Sequence, residues 1–277
     1  PSWGRGIGQG TRLTNHDSRL TVFKTMRELR VATYNIHKGL SVTPLLSRRL
    51  TIHDLRDKLR VLDADIVFLQ EVHGHHERHA RRYTNWPAAP QYEFLADTVW
   101  SDFAYGRNSV YDAGHHGNAL LSRFPILSWD NEDVSAHRFE HRGLLHCEIR
   151  VPGWPEPLHC VCVHLGLRGH ERSRQLEKLR QRIERLVPPG APLIVAGDFN
   201  DWRLRATQEL AHPLNLYEVF ELVKGRPART FPAALPMMSL DRIYVRGFQV
   251  PTARVHHGRA WARISDHAAL TATLLPL

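Results

Sequence analysis

Cysteine is scarce in this chain: only Cys147, Cys160 and Cys162 occur among 277 residues, and no two of them form a C-x-x-C pair. So small and odd a set argues against a disulfide scaffold and a zinc ribbon. Long apolar runs are missing too. None approaches the roughly 18 residues that a bilayer-spanning helix needs. There is no Walker phosphate loop and no G-x-S-x-G elbow, which sets aside the P-loop NTPases and the α/β-hydrolases. The glycine-rich GRGIGQG at 4–10 lacks the G-x-G-x-x-G spacing, and no fixed-period repeat is visible. Acid is the minority charge: 28 Asp and Glu stand against 37 Lys and Arg, for a net charge of +9 with 19 His held neutral. A surface of this sign favours polyanions: nucleic acid, anionic headgroups or phosphorylated substrates. At 42% hydrophobic and 23% charged, the chain has the composition of a globular protein. These features together point to a soluble protein of a reducing, cytoplasmic compartment.

Residues 1–28 read as a flexible tail and 29–277 as one domain. From Leu29 onward short apolar runs alternate with charged, periodic stretches. Strands are expected at 29–36, 64–72, 118–123, 144–150, 158–165, 192–200, 240–245 and 268–275. Helices are expected at 51–62 and 169–187, the second stopped by Pro188-Pro189-Gly190. Some strands are separated by loops too short for a crossover helix, so the pattern is mixed and favours two stacked sheets covered by helices. The stretches 73–117 and 124–143 are too long for plain loops and are expected to be functional or to hide short elements.

Polar residues recur at the C-terminal ends of the apolar strands. Asn35 closes VATYN, Glu71 closes IVFLQE, His164 closes VCVH, Asp198 and Asn200 close LIVAGDFN, and Asp266 with His267 precedes the last strand. One such residue is more often a turn former than a ligand. Five strand ends at once can line a crevice. Carboxylates and amide oxygens are hard ligands suited to Mg²⁺ or Mn²⁺, and histidines beside them contact phosphate or move its protons, which is the equipment of metal-assisted phosphoester hydrolysis.

The ordered motifs YNIHKG at 34–39, LQEV at 69–72, GNALLSRFPI at 117–126, VHL at 163–165, GDFN at 197–200, LDRIYV at 240–245 and SDH at 265–267 resemble those of the endonuclease/exonuclease/phosphatase superfamily. The similarity runs from about Leu29 to the C-terminus, through a branch of bacterial type. It implies an α/β (α+β) fold of DNase I-like type, a four-layered α/β/β/α sandwich with two central mixed sheets. It also implies roles. Glu71, Asn35 and Asp266 would hold the metal, Asp198 would orient or deprotonate the attacking water, and Asn200 would hold a phosphate oxygen. His267, backed by Asp241, would face the scissile phosphate, and His164 would be the second histidine. Some nucleases of the superfamily carry an acid two positions after the first Asn; His37 stands there, which weakens the transfer of an abasic-site role.

Arg107, Asn118 and Arg142 are candidate substrate contacts. The block HGHHERHARR at 73–82 contains His75 and His79 at i and i+4, but not in the H-E-x-x-H order, and reads as a basic rim more readily than as a metal site. Trp202, two residues beyond Asn200, is the tryptophan best placed to stack on a base. The expected activity is that of a Mg²⁺-dependent hydrolase of phosphoric esters, a phosphodiesterase acting on DNA or RNA. Phospholipid or phosphoinositide headgroups are the second substrate class, and a catalytically silent phosphate-binding module is the third reading.

Overall fold

A computed structural model of the chain describes residues 27–42, 48–136 and 140–277. The expected tail at 1–28 lies almost wholly outside them. Among the described residues the strands are β1 (Leu29–Asn35), β2 (Leu40–Val42), β3 (Arg48–Leu50), β4 (Ile66–His76), β5 (Asp102–Tyr111), β6 (Gly114–Ser122) and β7 (Ile126–Asp133). They continue with β8 (Gly143–Ile149), β9 (Leu158–His164), β10 (Leu193–Asp198), β11 (Tyr217–Glu218), β12 (Asp241–Arg246), β13 (Phe248–His256) and β14 (Ala269–Pro276). The helices are α1 (Ile52–Leu62), α2 (Glu77–Arg82), α3 (Gln91–Ala96), α4 (Gly169–Leu186), α5 (Val219–Lys224) and α6 (Arg259–Ala262).

Two six-stranded sheets form the centre, in the orders β13-β14-β1-β4-β6-β5 and β11-β12-β10-β9-β8-β7. Each is mixed. The pairs β1–β4 and β9–β10 are parallel, and the other neighbours run antiparallel. Because side chains alternate faces along a strand, each central strand supplies one row to the gap between the sheets and one to a helix layer. Val31, Phe68 and Leu120 of the first sheet meet Cys147, Cys160, Ile194 and Ile243 of the second in the inner core. On the outer faces α1 and α3 cover Ala32, Val67 and Leu69 with Ile52, Leu55, Leu59 and Leu95. Across the molecule α4 lays Leu176, Leu179 and Ile183 over Val161, Val163 and Val195. Each fully buried aliphatic side chain of this kind stabilises the fold by roughly 1.5–3 kcal/mol relative to exposure. The result is the four-layered α/β/β/α sandwich with two mixed sheets that the motifs implied.

The eight expected strands and both helices are present, with ends displaced by a few residues. The long stretches hold β5, β7, α2 and α3, and β13 was not anticipated. No helix among the described residues is long and apolar enough to cross a membrane.

Candidate active site

Strand alternation decides which polar side chains meet. On β9 the residues Leu158, Cys160 and Cys162 lie in the inner core, so the next in step, His164, also points between the sheets. The same stepping carries β10 through Ile194 and Ala196 to Asp198, β12 back through Val245 and Ile243 to Asp241, and β1 from Leu29 and Val31 through Thr33 to Asn35. Pairing register sets Asp198 opposite His164 on one side and Asp241 on the other. One end of the inner core is therefore closed by polar groups from both sheets.

Glu71 needs a further device. Gln70 already faces the inner core, where its Nε2 donates to Thr33 Oγ1 and Cys162 Sγ, so strict alternation would turn Glu71 outward. The register of β4 against β6 slips between Leu69 and Val72, and Glu71 adopts φ +57°. This bulge re-aims the side chain toward the inner core. Asn35 Nδ2 then lies 3.4 Å from Glu71 Oε1 while donating to Asp198 Oδ2 at 3.0 Å. The C-terminal SDH is tied to the same place: Ser265 Oγ donates to the Asn35 carbonyl at 2.7 Å and accepts from the His267 backbone N–H at 3.2 Å. His267 Nδ1 sits 2.9 Å from Asp241 Oδ2, and its Nε2 lies 3.8 Å from Asp198 Oδ2.

The glycine of GDFN is fixed by space. Gly197 has φ +148°, and a Cβ there would fall 1.9 Å from the Val163 carbonyl oxygen. No L side chain fits so close an approach of β10 to β9.

Burial and charge divide the titratable groups into distinct states. Burial works against the His267 imidazolium, yet the carboxylates of Asp241, Asp198 and Asp266 overcome it and push its pKa up to about 10. His164 goes the other way: burial, reinforced by Arg142, drives its pKa well below the usual value and leaves it neutral. Burial raises Asp198 above the ordinary carboxylate range, although His267 opposes it. Burial would raise Glu71 also, but the neighbouring Lys38 and His37 and the Asn35 amide oppose it and hold the carboxyl below its usual range. With His164 neutral, the Lys38 ammonium, 3.4 Å from Glu71 Oε2, is the permanent charge among these. One buried acid is thus fixed as an anion, another is raised toward protonation, and one histidine is charged while its neighbour is not.

A cavity of about 380 Å³ opens on this cluster, lined by Glu71, His164, Asp198, Asn200 and His267 on its polar side. Leu167, Trp202, Phe231, Met238 and Leu240 form an apolar wall, and Arg142 stands at the margin. The structure brings Asn35, Glu71, His164, Asp198, Asn200, Asp241 and His267 together with Arg142, whose Nε donates to the Leu165 carbonyl. Asn200 Nδ2 donates to that same carbonyl at 2.9 Å, and its backbone N–H donates to Asp198 Oδ1. Asp266 sits on the rim, its side chain 46% exposed and 3.6 Å from His37 Nδ1. Asn118 is fully buried, donating to the carbonyls of Gly143 and Cys162. Arg107 is exposed on β5, outside the cavity lining.

Apart from Trp202, sequence reasoning passed over the apolar wall. Leu167 follows VHL by two residues and Met238 precedes LDRIYV by two, so nearness to a motif was the only available signal. It also passed over Arg172, whose buried guanidinium donates to the carbonyls of Gly166 and Leu167, lies 3.7 Å from Asp201 and stacks 4.9 Å from the Trp202 ring centroid. That fixed cation holds Trp202 at the mouth of the cavity.

The profile of the endonuclease/exonuclease/phosphatase family matches residues 32–267. The chain belongs to that family, whose members hydrolyse phosphoester bonds and include nucleases and phosphatases, generally with a divalent metal. It is 49% identical over 245 residues to the Escherichia coli K12 protein YbhP, described as uncharacterized, covering 88% of this chain and 95% of that one. Among solved structures it resembles an endonuclease/exonuclease/phosphatase from Bacteroides vulgatus, with a TM-score of 0.70 at 18% identity over 91% of this chain and all of the other. It likewise resembles D. rerio TDP2 complexed with single strand DNA product, with a TM-score of 0.67 at 21% identity over 89% and 98% of the two chains. At such identities the likeness is one of fold.

Proposed function

We propose that this protein is a Mg²⁺-dependent phosphodiesterase acting on nucleic acid, with single strands as its preferred form. The observation that carries the reading is the meeting, at one end of the inner core, of a low-pKa carboxylate, a raised carboxylate and a charged histidine beside an apolar wall ending in Trp202.

The donor set fits a hard cation. Glu71 Oε2 is enclosed without a hydrogen bond, the Lys38 ammonium lying 3.4 Å away, and Glu71 and Asp266 offer carboxylate oxygens beside the side-chain oxygen of Asn35. These three residues would hold the ion, which when bound supplies positive charge to the phosphate oxygens. Asp198, oriented by Asn35 Nδ2 and the Asn200 backbone N–H, accepts a proton from the attacking water; its raised pKa makes it a better base than an ordinary aspartate. As the new P–O bond forms and the ester P–O bond breaks, the leaving oxygen takes up a proton from solvent water, and the His267 imidazolium, held by Asp241, stabilises charge on the phosphate oxygens. Neutral His164 donates a hydrogen bond to the same group.

The +9 net charge suits nucleic acid and anionic headgroups alike, and the exposed Trp202, braced by Arg172 to stack against a base, favours nucleic acid. The similarity to a TDP2 structure bound to single strand DNA product supports the same reading. The test is Mg²⁺-dependent cleavage of a single-stranded oligonucleotide and nicking of supercoiled plasmid, with EDTA, a salt series and an Asp198→Ala control. Cleavage that vanishes with EDTA and with Asp198→Ala, and falls steeply with salt, supports the assignment. Intact nucleic acid beside release of phosphorylated headgroup from anionic liposomes overturns it.

A further inference from the structure

The histidines of the HGHHERHARR block are arranged differently from their i, i+4 spacing. His75 turns to solvent, 3.9 Å from Glu77, while His73, His76 and His79 converge. The reason lies in the backbone: β4 ends at His76 and α2 begins at Glu77, so a strand step followed by a helical turn brings positions i, i+3 and i+6 together. His73 stands edge-on to the other two, its ring centroid 4.8 Å from that of His76 and 5.4 Å from that of His79, and those two stack face to face at 3.5 Å.

We infer that His73, His76 and His79 form a second metal site, separate from the carboxylate cluster and suited to a borderline transition ion such as Zn²⁺. Four observations carry this. First, a nitrogen from each of the three lies within 4.8 Å of the others; tetrahedral ligands on Zn–N bonds of 2.0–2.1 Å are roughly 3.4 Å apart, a difference that side-chain rotation at the short α2 absorbs. Second, His73 is 1% exposed, and its Nε2 is enclosed with no hydrogen-bond partner; His79 Nδ1 is likewise enclosed and unpartnered. Third, His73 Nδ1 lies 3.2 Å from the Tyr111 hydroxyl, an outer partner that, by accepting the Nδ1–H, leaves Nε2 free to bind an ion. Fourth, His76 Nδ1 accepts the His79 backbone N–H as the cap of α2, which seats the two rings side by side; an ion bound through Nδ1 would displace this hydrogen bond.

Three imidazoles without a carboxylate select Zn²⁺, Ni²⁺ or Cu²⁺ over Mg²⁺. Trp86, with its ring 5.3 Å from that of His79, shields one side. Such an ion would pin α2 to the last residues of β4, whose His73 lies two residues beyond Glu71.

The inference is independent of the phosphodiesterase reading and is tested without activity. Untagged full-length protein, stripped with chelator, is titrated with Co²⁺ and followed by its visible d–d absorption, then with Zn²⁺ by calorimetry. The titrations are run on the unmodified chain and on Glu71→Gln, His76→Gln and His79→Gln, each checked by melting temperature. One equivalent of Co²⁺ with tetrahedral-type bands, displaced by Zn²⁺, retained in Glu71→Gln and lost in both histidine variants at unchanged melting temperature, is the expected result. Absence of the bands, their survival in both histidine variants, or their loss in Glu71→Gln alone overturns the site.

Discussion

Replacing Asp241 by Asn removes a buried negative charge 2.9 Å from His267 Nδ1 while keeping a side chain of the same shape. The carboxylates around His267 raise its pKa from 6.5 to about 10 against the opposing effect of burial, a preference for the imidazolium worth roughly 5 kcal/mol. Asp241 leads the groups that raise it and also supplies the hydrogen bond, so its loss returns at least half of that, about 2–3 kcal/mol, or on the order of 100-fold in the ratio of charged to neutral imidazole. The sign is definite. Because the folded pKa lies above the unfolded one, charged His267 contributes stability that is present in full below about pH 6.5 and is lost progressively as pH rises to about 10, where the charge, and activity resting on it, is also lost. In Asp241→Asn that loss moves down by roughly two pH units. Hydrolysis of a chromogenic phosphodiester, followed from pH 5.5 to 10.5 at saturating Mg²⁺, gives the alkaline limb directly, with melting temperatures over the same range as a check on folding. An alkaline limb unmoved in a folded Asp241→Asn protein would refute the assignment of His267 as the working cation.

Other expectations follow from the same arrangement. Glu71→Gln should lower Mg²⁺-dependent turnover by about 100-fold or more, consistent with loss of several kcal/mol of charge stabilisation, while leaving the melting temperature near that of the parent. Trp202→Ala should raise KM for an oligonucleotide by roughly ten- to hundredfold, from a base-stacking contribution of about 1–3 kcal/mol, and leave kcat on a small chromogenic diester unchanged; an unaltered oligonucleotide KM would remove Trp202 from the binding surface. Glu218, 3% exposed with Oε1 unpartnered, has its pKa raised by burial to about 7, so it destabilises the fold as pH rises from 4.5 through 7. Glu218→Gln should therefore raise stability at pH 8 by up to roughly 3 kcal/mol and change it little at pH 4.5, as read by denaturant unfolding at the two pH values.

The inner core and the strand-end groups were legible in the sequence because they obey the simplest rule available. Apolar runs such as LHCVCVHL mark central strands, and step-two alternation carries Leu158, Cys160 and Cys162 to His164 without knowledge of the fold. Edge strands gave no such signal. β7 reads ILSWDNED and is exposed over most of its length, while β13 carries Pro251 at a register slip, so neither presents an apolar run. Asn118 and Arg107 were drawn to the cleft by proximity in sequence, and alternation along β5 and β6 sends one into the interior and leaves the other at the surface. The convergence of His73, His76 and His79 could not be read from their spacing, because the i, i+4 rule presumes an uninterrupted helix, and the change from strand to helix at His76 resets the period. The Glu71 bulge was invisible, since nothing in LQEV announces an extra residue.

The hydrogen bond from Ser265 to the carbonyl of Asn35 joins residues 230 apart in sequence, and Asn35 reaches Asp198 across 163 more local positions. Contacts of such separation form late in folding, after the cost of closing very long loops has been met. β14, which directly follows His267, pairs with β1 in the interior of its sheet, so the first strand gains its final neighbour only from the last. A nascent chain that has emerged through β12 carries Asn35, Glu71 and Asp198 but lacks the histidine and the serine latch. The cluster of Asn35, Glu71 and Asp198 would then gain His267 and the Ser265 latch only once β14 is seated against β1.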